Sequence, residues 1–264
     1  MEAVSRIFAG WTVTSPGAFV LLLVLLVFFY LFAARARAGW VYQLRDISGF
    51  AAIKQAVGQA AEMGKPLHMA LGTGGIGNVT TLETLAGLTT LEYLAQQSAL
   101  CGTPLMVSVA DPTSLPAAQA ALSRAYSQAG YPDEYDANRV RFVAPDPLAY
   151  AAGVMGTLGQ EKLAANVMIG TFGDEFLLMG EAGNRSCQGQ PKISQIGGTT
   201  NPQTLPFVYT STDHILIGEE IFASGAYLLG NPNHVGSLVA QDVMRSAIVI
   251  TAIIGVVLKT LGVL

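Results

Sequence analysis

Two long apolar runs lie near the ends of the chain, and short apolar stretches alternate with helix-periodic ones between them. The first run, 18–34, reads AFVLLLVLLVFFYLFAA; the second, 246–264, reads SAIVITAIIGVVLKTLGVL. Each is near the length a helix needs to cross hydrocarbon, so a transmembrane helix is expected at both places. Trp11 and Trp40 flank the first run. Arg35 and Arg37 follow it and only Arg6 precedes it, the reverse of a secretory signal. With Arg245 bordering the second run, the positive-inside rule puts 1–17 outside and 40–240 in the cytoplasm, a multi-pass protein of the cell membrane. Asn78-Val79-Thr80 and Asn184-Arg185-Ser186 would fit the opposite orientation, as short glycosylation patterns.

Within 40–240, helices are expected over 46–64, 80–100, 113–130, 147–162, 174–182 and 213–229. The first opens at Asp46 and stops at Gly64; the second opens with a capping box from Thr80 to Glu83. Strands are expected over 67–71, 104–110, 140–144, 165–171 and 193–197, while 205–209 reads as strand or helix. Residues 237–245 run into the second apolar helix. Alternating β and α, with strands apolar on both faces, predicts an α/β domain with a doubly wound (Rossmann-like), mostly parallel sheet.

Charge changes the picture twice. The chain carries 14 Lys and Arg against 18 Asp and Glu, with no basic stripe, which excludes a nucleic-acid partner. Charged residues make up 12%, about half the usual fraction, and 40–240 alone is as poor. In the helix over 80–100, Leu82, Leu85, Leu88, Leu91 and Leu94 follow turn by turn, so it is expected to be covered on more than one side. A homo-oligomer provides that cover. Ala247, Thr251 and Gly255, four apart, form a small-residue stripe for helix packing in the second apolar run. Cys101 and Cys187 are too few for a disulfide framework and read as small buried hydrophobes.

Candidate chemistry centres on Gly72-Thr73-Gly74-Gly75-Ile76-Gly77, a GxGxxG between strand and helix. Glycines Gly72, Gly74, Gly75 and Gly77 would let backbone approach a phosphate at a helix N-terminus. Asn78 and Val79 intervene before the helix, and the acidic residue expected about 20 positions on is absent, Asp111 coming later. A tight structural turn is the other reading. Asp111, Asp146 and Asp174 each follow a strand, where they would line a ligand crevice or cap helices; Asp-Pro at 111–112 and 146–147 suits the cap. Asp213 and His214 read as a polar site or a helix cap, His68 as a satisfied core histidine, and His234 as a turn residue. No GxSxG or HExxH is present, so no catalytic residue, cofactor or metal follows.

Five stretches, LGTGGIG (71–77), VADPT (109–113), RVRFVAPDPLAYAAG (139–153), TFGDEFLLMGEAG (171–183) and TDHILIGEE (212–220), resemble a family of uncharacterised bacterial membrane-anchored proteins. The resemblance implies one membrane-associated domain and carries over no catalytic residue. The expected function is a membrane-anchored, self-assembling scaffold that presents a Rossmann-like domain on the cytoplasmic face. Its partners would be the lipid bilayer, further copies of itself and other membrane proteins. The alternative is an enzyme or sensor binding a nucleotide or phosphate ligand at the glycine loop.

Overall fold

A computed structural model describes residues 16–40, 42–185 and 193–260, without side-chain detail at 16–18, 20–21, 251, 254–255 and 257–258. The chain divides into two compact units, Met1–Gln43 with Gly230–Leu264, and Leu44–Leu229.

The second unit holds a six-stranded sheet in the order β3-β2-β1-β4-β5-β6, parallel at every pairing. The strands are β1 (Leu67–Gly72), β2 (Leu105–Val109), β3 (Val140–Phe142), β4 (Ala165–Thr171), β5 (Ser194–Thr199) and β6 (His214–Ile217). Helices α2 (Ser48–Met63), α3 (Thr81–Cys101) and α4 (Leu115–Ala129) form one layer; α5 (Pro147–Gln160), α6 (Glu175–Arg185) and α7 (Leu205–Ser211) form the other. A short α8 (Ser224–Tyr227) follows β6. The central strands β1 and β4 are buried almost throughout, as all-apolar strands sandwiched between helices must be. Ala70, Tyr150, Met168, Phe172, Phe176 and Met179 pack the core under the second helical layer.

The doubly wound sheet was legible in the sequence, with local differences. The expected helix over 213–229 contains β6, whose His214-Ile215-Leu216-Ile217 completes the sheet edge beside β5. The ambiguous stretch over 205–209 is helical, as α7. Ile47, not Asp46, stands at the N-cap of α2, and no side chain caps it. Thr80 does not cap α3 through its side chain, so no capping box forms there. Cys101 is exposed, against the expectation of burial, because it sits at the last position of α3; Cys187 lies outside the described residues.

In the first unit, α1 (Pro16–Arg37) packs against α9 (Pro232–Thr260). The contact is close: a Cβ at Gly236 would stand 2.6 Å from the Ala33 backbone, and Ala33 is buried. Arg35 lies over the Trp40 ring at 5.6 Å, and Phe32 meets Tyr42 edge-on. The transmembrane helices expected over 18–34 and 246–264 do not hold. Among the described residues no helix is long and apolar enough to cross a membrane. α1 ends on Arg35 and Arg37, and the first half of α9 carries Asn233, His234, Gln241, Asp242 and Arg245. Ala247 is exposed on α9; the side chain of Thr251, the surroundings of Gly255, and residues 1–15 lie outside what is described.

Candidate functional site

The chain turns from one side of the sheet to the other between β1 and β4, and open parallel sheets bind ligands outside the carboxyl ends of the strands at such a switch point. β1 and β4 approach so closely there that a Cβ at Gly72 would fall on the Thr171 carbonyl oxygen and one at Gly170 on that of Leu71. The pairing shifts register between Ala70 and Gly72, and Gly72 takes φ +79°. Glycine at 72 thus follows from backbone crowding and a left-handed turn.

The loop beyond Gly72 folds onto its own chain. Thr73 N–H donates to the Thr171 carbonyl at 2.9 Å, and Gly75 N–H to the Thr80 hydroxyl at 3.1 Å. Ile76 N–H donates to Thr113 Oγ1 at 2.8 Å, while Gly77 and Asn78 N–H donate to Thr81 Oγ1 at 2.9 and 3.0 Å. These N–H groups, which a phosphate would need, are taken up by hydroxyls and a carbonyl. The absence of a side chain at Gly74 and Gly75 has the same origin. A Cβ at Gly74 would stand 2.6 Å from Thr171 Oγ1 and 2.7 Å from Thr84 Oγ1, and one at Gly75 would strike the Asp111 carboxylate.

Of the three strand-end aspartates, only Asp111 joins this loop. Its Oδ1 accepts from the N–H of Thr113 at 2.7 Å and from the Thr113 hydroxyl, and Thr113 in turn accepts from Ile76. Asp146 caps α5, accepting from Ala149 N–H at 3.0 Å. Asp174 is exposed in the turn before α6. The residue the sequence reading missed is Glu83. From the first turn of α3 its carboxylate accepts the hydroxyls of Thr171, at the end of β4, and Thr200, just past β5. Glu175 is buried nearby and accepts from Gly173 N–H at 2.8 Å. The crevice is therefore lined by carboxylates and threonine hydroxyls, and no Lys or Arg among the described residues bonds to them. Such a lining suits hydroxyl or ammonium groups better than a phosphate. An acid one turn into a helix, followed by threonines at two strand ends, was the available signal for it.

A second polar cluster lies inside the sheet. His68 on β1 is fully buried, with Nδ1 2.8 Å from Asn166 Oδ1 on β4 and Nε2 2.9 Å from Ser108 Oγ on β2. Burial lowers its pKa to about 4, the Asn166 hydrogen bond opposing in part. Serine, histidine and asparagine stand here in the order a nucleophilic site would use. Ser108 is only 4% exposed, however, and the Tyr150 hydroxyl donates to its carbonyl at 3.1 Å, so no substrate carbonyl reaches its Oγ. Burial raises the Tyr150 pKa, keeping that phenol neutral. The core reading of His68 matches this geometry. Two polar residues in otherwise largely apolar strands, Ser108 and Asn166, were the sequence signal for its partners.

Asp213 and His214 sit elsewhere, at the rim of an open groove with Arg45, Asp46, Ser48 and Glu220. Arg45 pairs with Glu220, and Asp213 Oδ2 accepts from Gln195 N–H at 3.1 Å. His234 lies in the first turn of α9. Among the described residues no group of three or more His, Cys, Asp or Glu is placed to hold a metal.

Strand order, a glycine-bearing β1 end and helices on both faces define a Rossmann-type α/β domain. The chain belongs to the family described as "Domain of unknown function (DUF6754)", whose model matches residues 9–264. No curated protein and no solved structure matches it.

Proposed function

We propose that this protein is an assembly module, a Rossmann-type domain that associates with further copies of itself through an apolar face beside the glycine loop. The observation that carries this reading is the stripe of Val79, Leu82 and Leu85, which are 98%, 67% and 46% exposed, with Ile76 beside them. Thr84, Ala86, Gly87, Leu91 and Leu94, on the same helix, are buried, so its own domain covers α3 along its length and leaves Leu82 and Leu85 out. The stripe carries no charge of its own: Glu83, within it in sequence, is bonded to Thr171 and Thr200. A second copy supplies a matching apolar face. Apolar side chains exposed on α1 and α9, among them Leu22, Leu26, Ile250 and Ile253, add surface for such packing.

Sedimentation velocity of the full chain tests the proposal. The wild type is expected to run as an oligomer and Leu82→Glu as a smaller species with an unchanged circular dichroism spectrum. A monomeric wild type, or a variant of unchanged size, rejects it; binding to lipid vesicles without self-association would point to a lipid surface as the partner instead.

A second reading, a small ligand in the switch-point crevice, is favoured by strand order and by the carboxylates of Glu83 and Asp111. Titration calorimetry with nucleosides and nucleotides is the direct test, with Glu83→Gln and Asp111→Asn as controls. Gly74→Val is unsuited, because its side chain would displace Thr171 and Thr84 whether or not a ligand binds.

A further inference from the structure

The buried cluster around His68 continues across four strands and reaches the second helical layer. On one face of the sheet, Ser108 of β2, His68 of β1, Asn166 of β4 and Gln195 of β5 follow in turn, and His68 pairs in register with Asn166, Asn166 with Gln195. Asn166 Nδ2 lies 3.4 Å from Gln195 Oε1. Gln195 Nε2 donates to the carbonyls of Gly180 on α6, at 2.8 Å, and Ser211 on α7, at 3.1 Å, and lies 2.9 Å from Asn184 Oδ1. Main-chain carbonyls only accept, so this ladder has one direction. Gln195 turns its nitrogen to the helices and Oε1 to Asn166, and Asn166 turns its oxygen to His68. Nδ1 therefore carries the imidazole proton, and the Ser108 hydroxyl donates to the bare Nε2.

The pairing of β1 with β4 changes along its length. His68 stands beside Asn166 and Ala70 beside Met168, but Gly72 stands beside Thr171, one residue further along β4. Ile169 and Gly170 together oppose Leu71, which makes a bulge. Ahead of it Met168 packs under the second helical layer; beyond it Thr171 gives its hydroxyl to Glu83 of α3, in the other layer. A pairing without a bulge is open to the same strands. If β4 kept the Gly72–Thr171 alignment throughout, Val167 would stand beside His68. Paired residues of neighbouring strands share a face, so β4 would turn over, carrying Thr171 away from Glu83 and Asn166 away from His68.

Apolar packing chooses weakly between the two pairings, because Val167, Met168 and Ile169 are all fully buried and β4 is covered on both faces. The ladder chooses strongly. In the bulge-free pairing His68 Nδ1–H and Gln195 Oε1 both lose Asn166 in the interior. Were β5 to move with β4, Gln195 would leave the carbonyls of α6 and α7 instead. We infer that this ladder is a register lock: by tying Asn166 to His68 it holds β4 one residue away from its bulge-free pairing, and thereby keeps Thr171 turned toward Glu83 at the switch point. The buried network thus positions a hydroxyl of the crevice that it does not touch.

Two measurements on the full chain test the lock. Long-range proton–nitrogen spectra of histidine-labelled wild type at pH 7 should show His68 with Nδ1 protonated and Nε2 bare. The opposite tautomer overturns the inference, because Asn166 would then turn its nitrogen to His68 and have no donor left for Gln195. The second measurement exchanges two neighbours, Asn166→Val with Val167→Asn, which keeps the composition and moves the asparagine by one place. Cross-strand nuclear Overhauser contacts between main-chain protons should then pair position 68 with 167 in place of 166. The bulge should be gone, and the Thr171 methyl group should exchange its contacts with α3 for contacts with the second helical layer. Wild-type register in the exchanged chain overturns the lock. So does an exchanged chain that no longer folds, since β4 then does not follow its asparagine.

Discussion

Two side-chain networks cross the same sheet and are built from opposite materials. The inner one, from Ser108 to Gln195, is neutral and buried and ends on main-chain carbonyls. The rim network, around Glu83 and Asp111, is anionic, half-exposed and made of carboxylates accepting threonine hydroxyls. The difference follows from solvation. A neutral amide or imidazole can be buried at little net cost once every hydrogen bond is made, whereas an unpaired carboxylate keeps contact with water. The inner network therefore acts on the fold, and the rim is where an outside molecule could exchange for water.

The largest effect that would sharpen this contrast is expected at Asn166. Asn166→Leu strands His68 Nδ1–H and Gln195 Oε1 in the interior and should cost about 4 kcal/mol, read from urea denaturation. A loss below about 1 kcal/mol would mean that the ladder contributes little. Next comes Gly72→Ala, which puts a methyl group onto the Thr171 carbonyl and forces a left-handed φ on a residue that resists it. About 3 kcal/mol is expected, since the β1–β4 contact must open. Acidification should separate the networks without mutation. The folded-state pKa of His68, about 4, lies below its ordinary 6.5, so the unfolded chain takes up the proton first. His68 therefore leaves stability unaffected above pH 6.5 and erodes it as pH falls from there to about 4. His68→Gln should flatten that part of the stability–pH curve. The smallest effect is expected at the rim, where Glu83→Gln keeps an oxygen for one threonine and should cost about 1 kcal/mol. A loss as large as that of Asn166→Leu would erase the distinction.

How far the sequence carries depends on range. The glycine loop and the three strand-end aspartates stood out because each is a local pattern, and Asp146 does cap α5. Glu83 was read as half of a capping box because Thr80 lies three residues before it; its real partners, Thr171 and Thr200, are about 90 and 120 positions away. The loop shows the same limit. GxGxxG is the same string whether its N–H groups await a phosphate or are met by Thr80, Thr81 and Thr113, as they are here. At the chain ends, the apolar runs and their bordering arginines predicted spans, and no helix among the described residues is long and apolar enough to be one.

By itself, the sequence determined the alternation of strands and helices, the parallel doubly wound class and a charge-poor domain, because periodicity and composition act over one element at a time. Only the tertiary structure decided which strands lie side by side. It is strand adjacency that lines up Ser108, His68, Asn166 and Gln195, turns Glu83 toward β4 and β5, and leaves Val79, Leu82 and Leu85 uncovered. Hydrogen bonds between residues far apart in the chain are set by the order of strands, and the packing of both helical layers fixes that order.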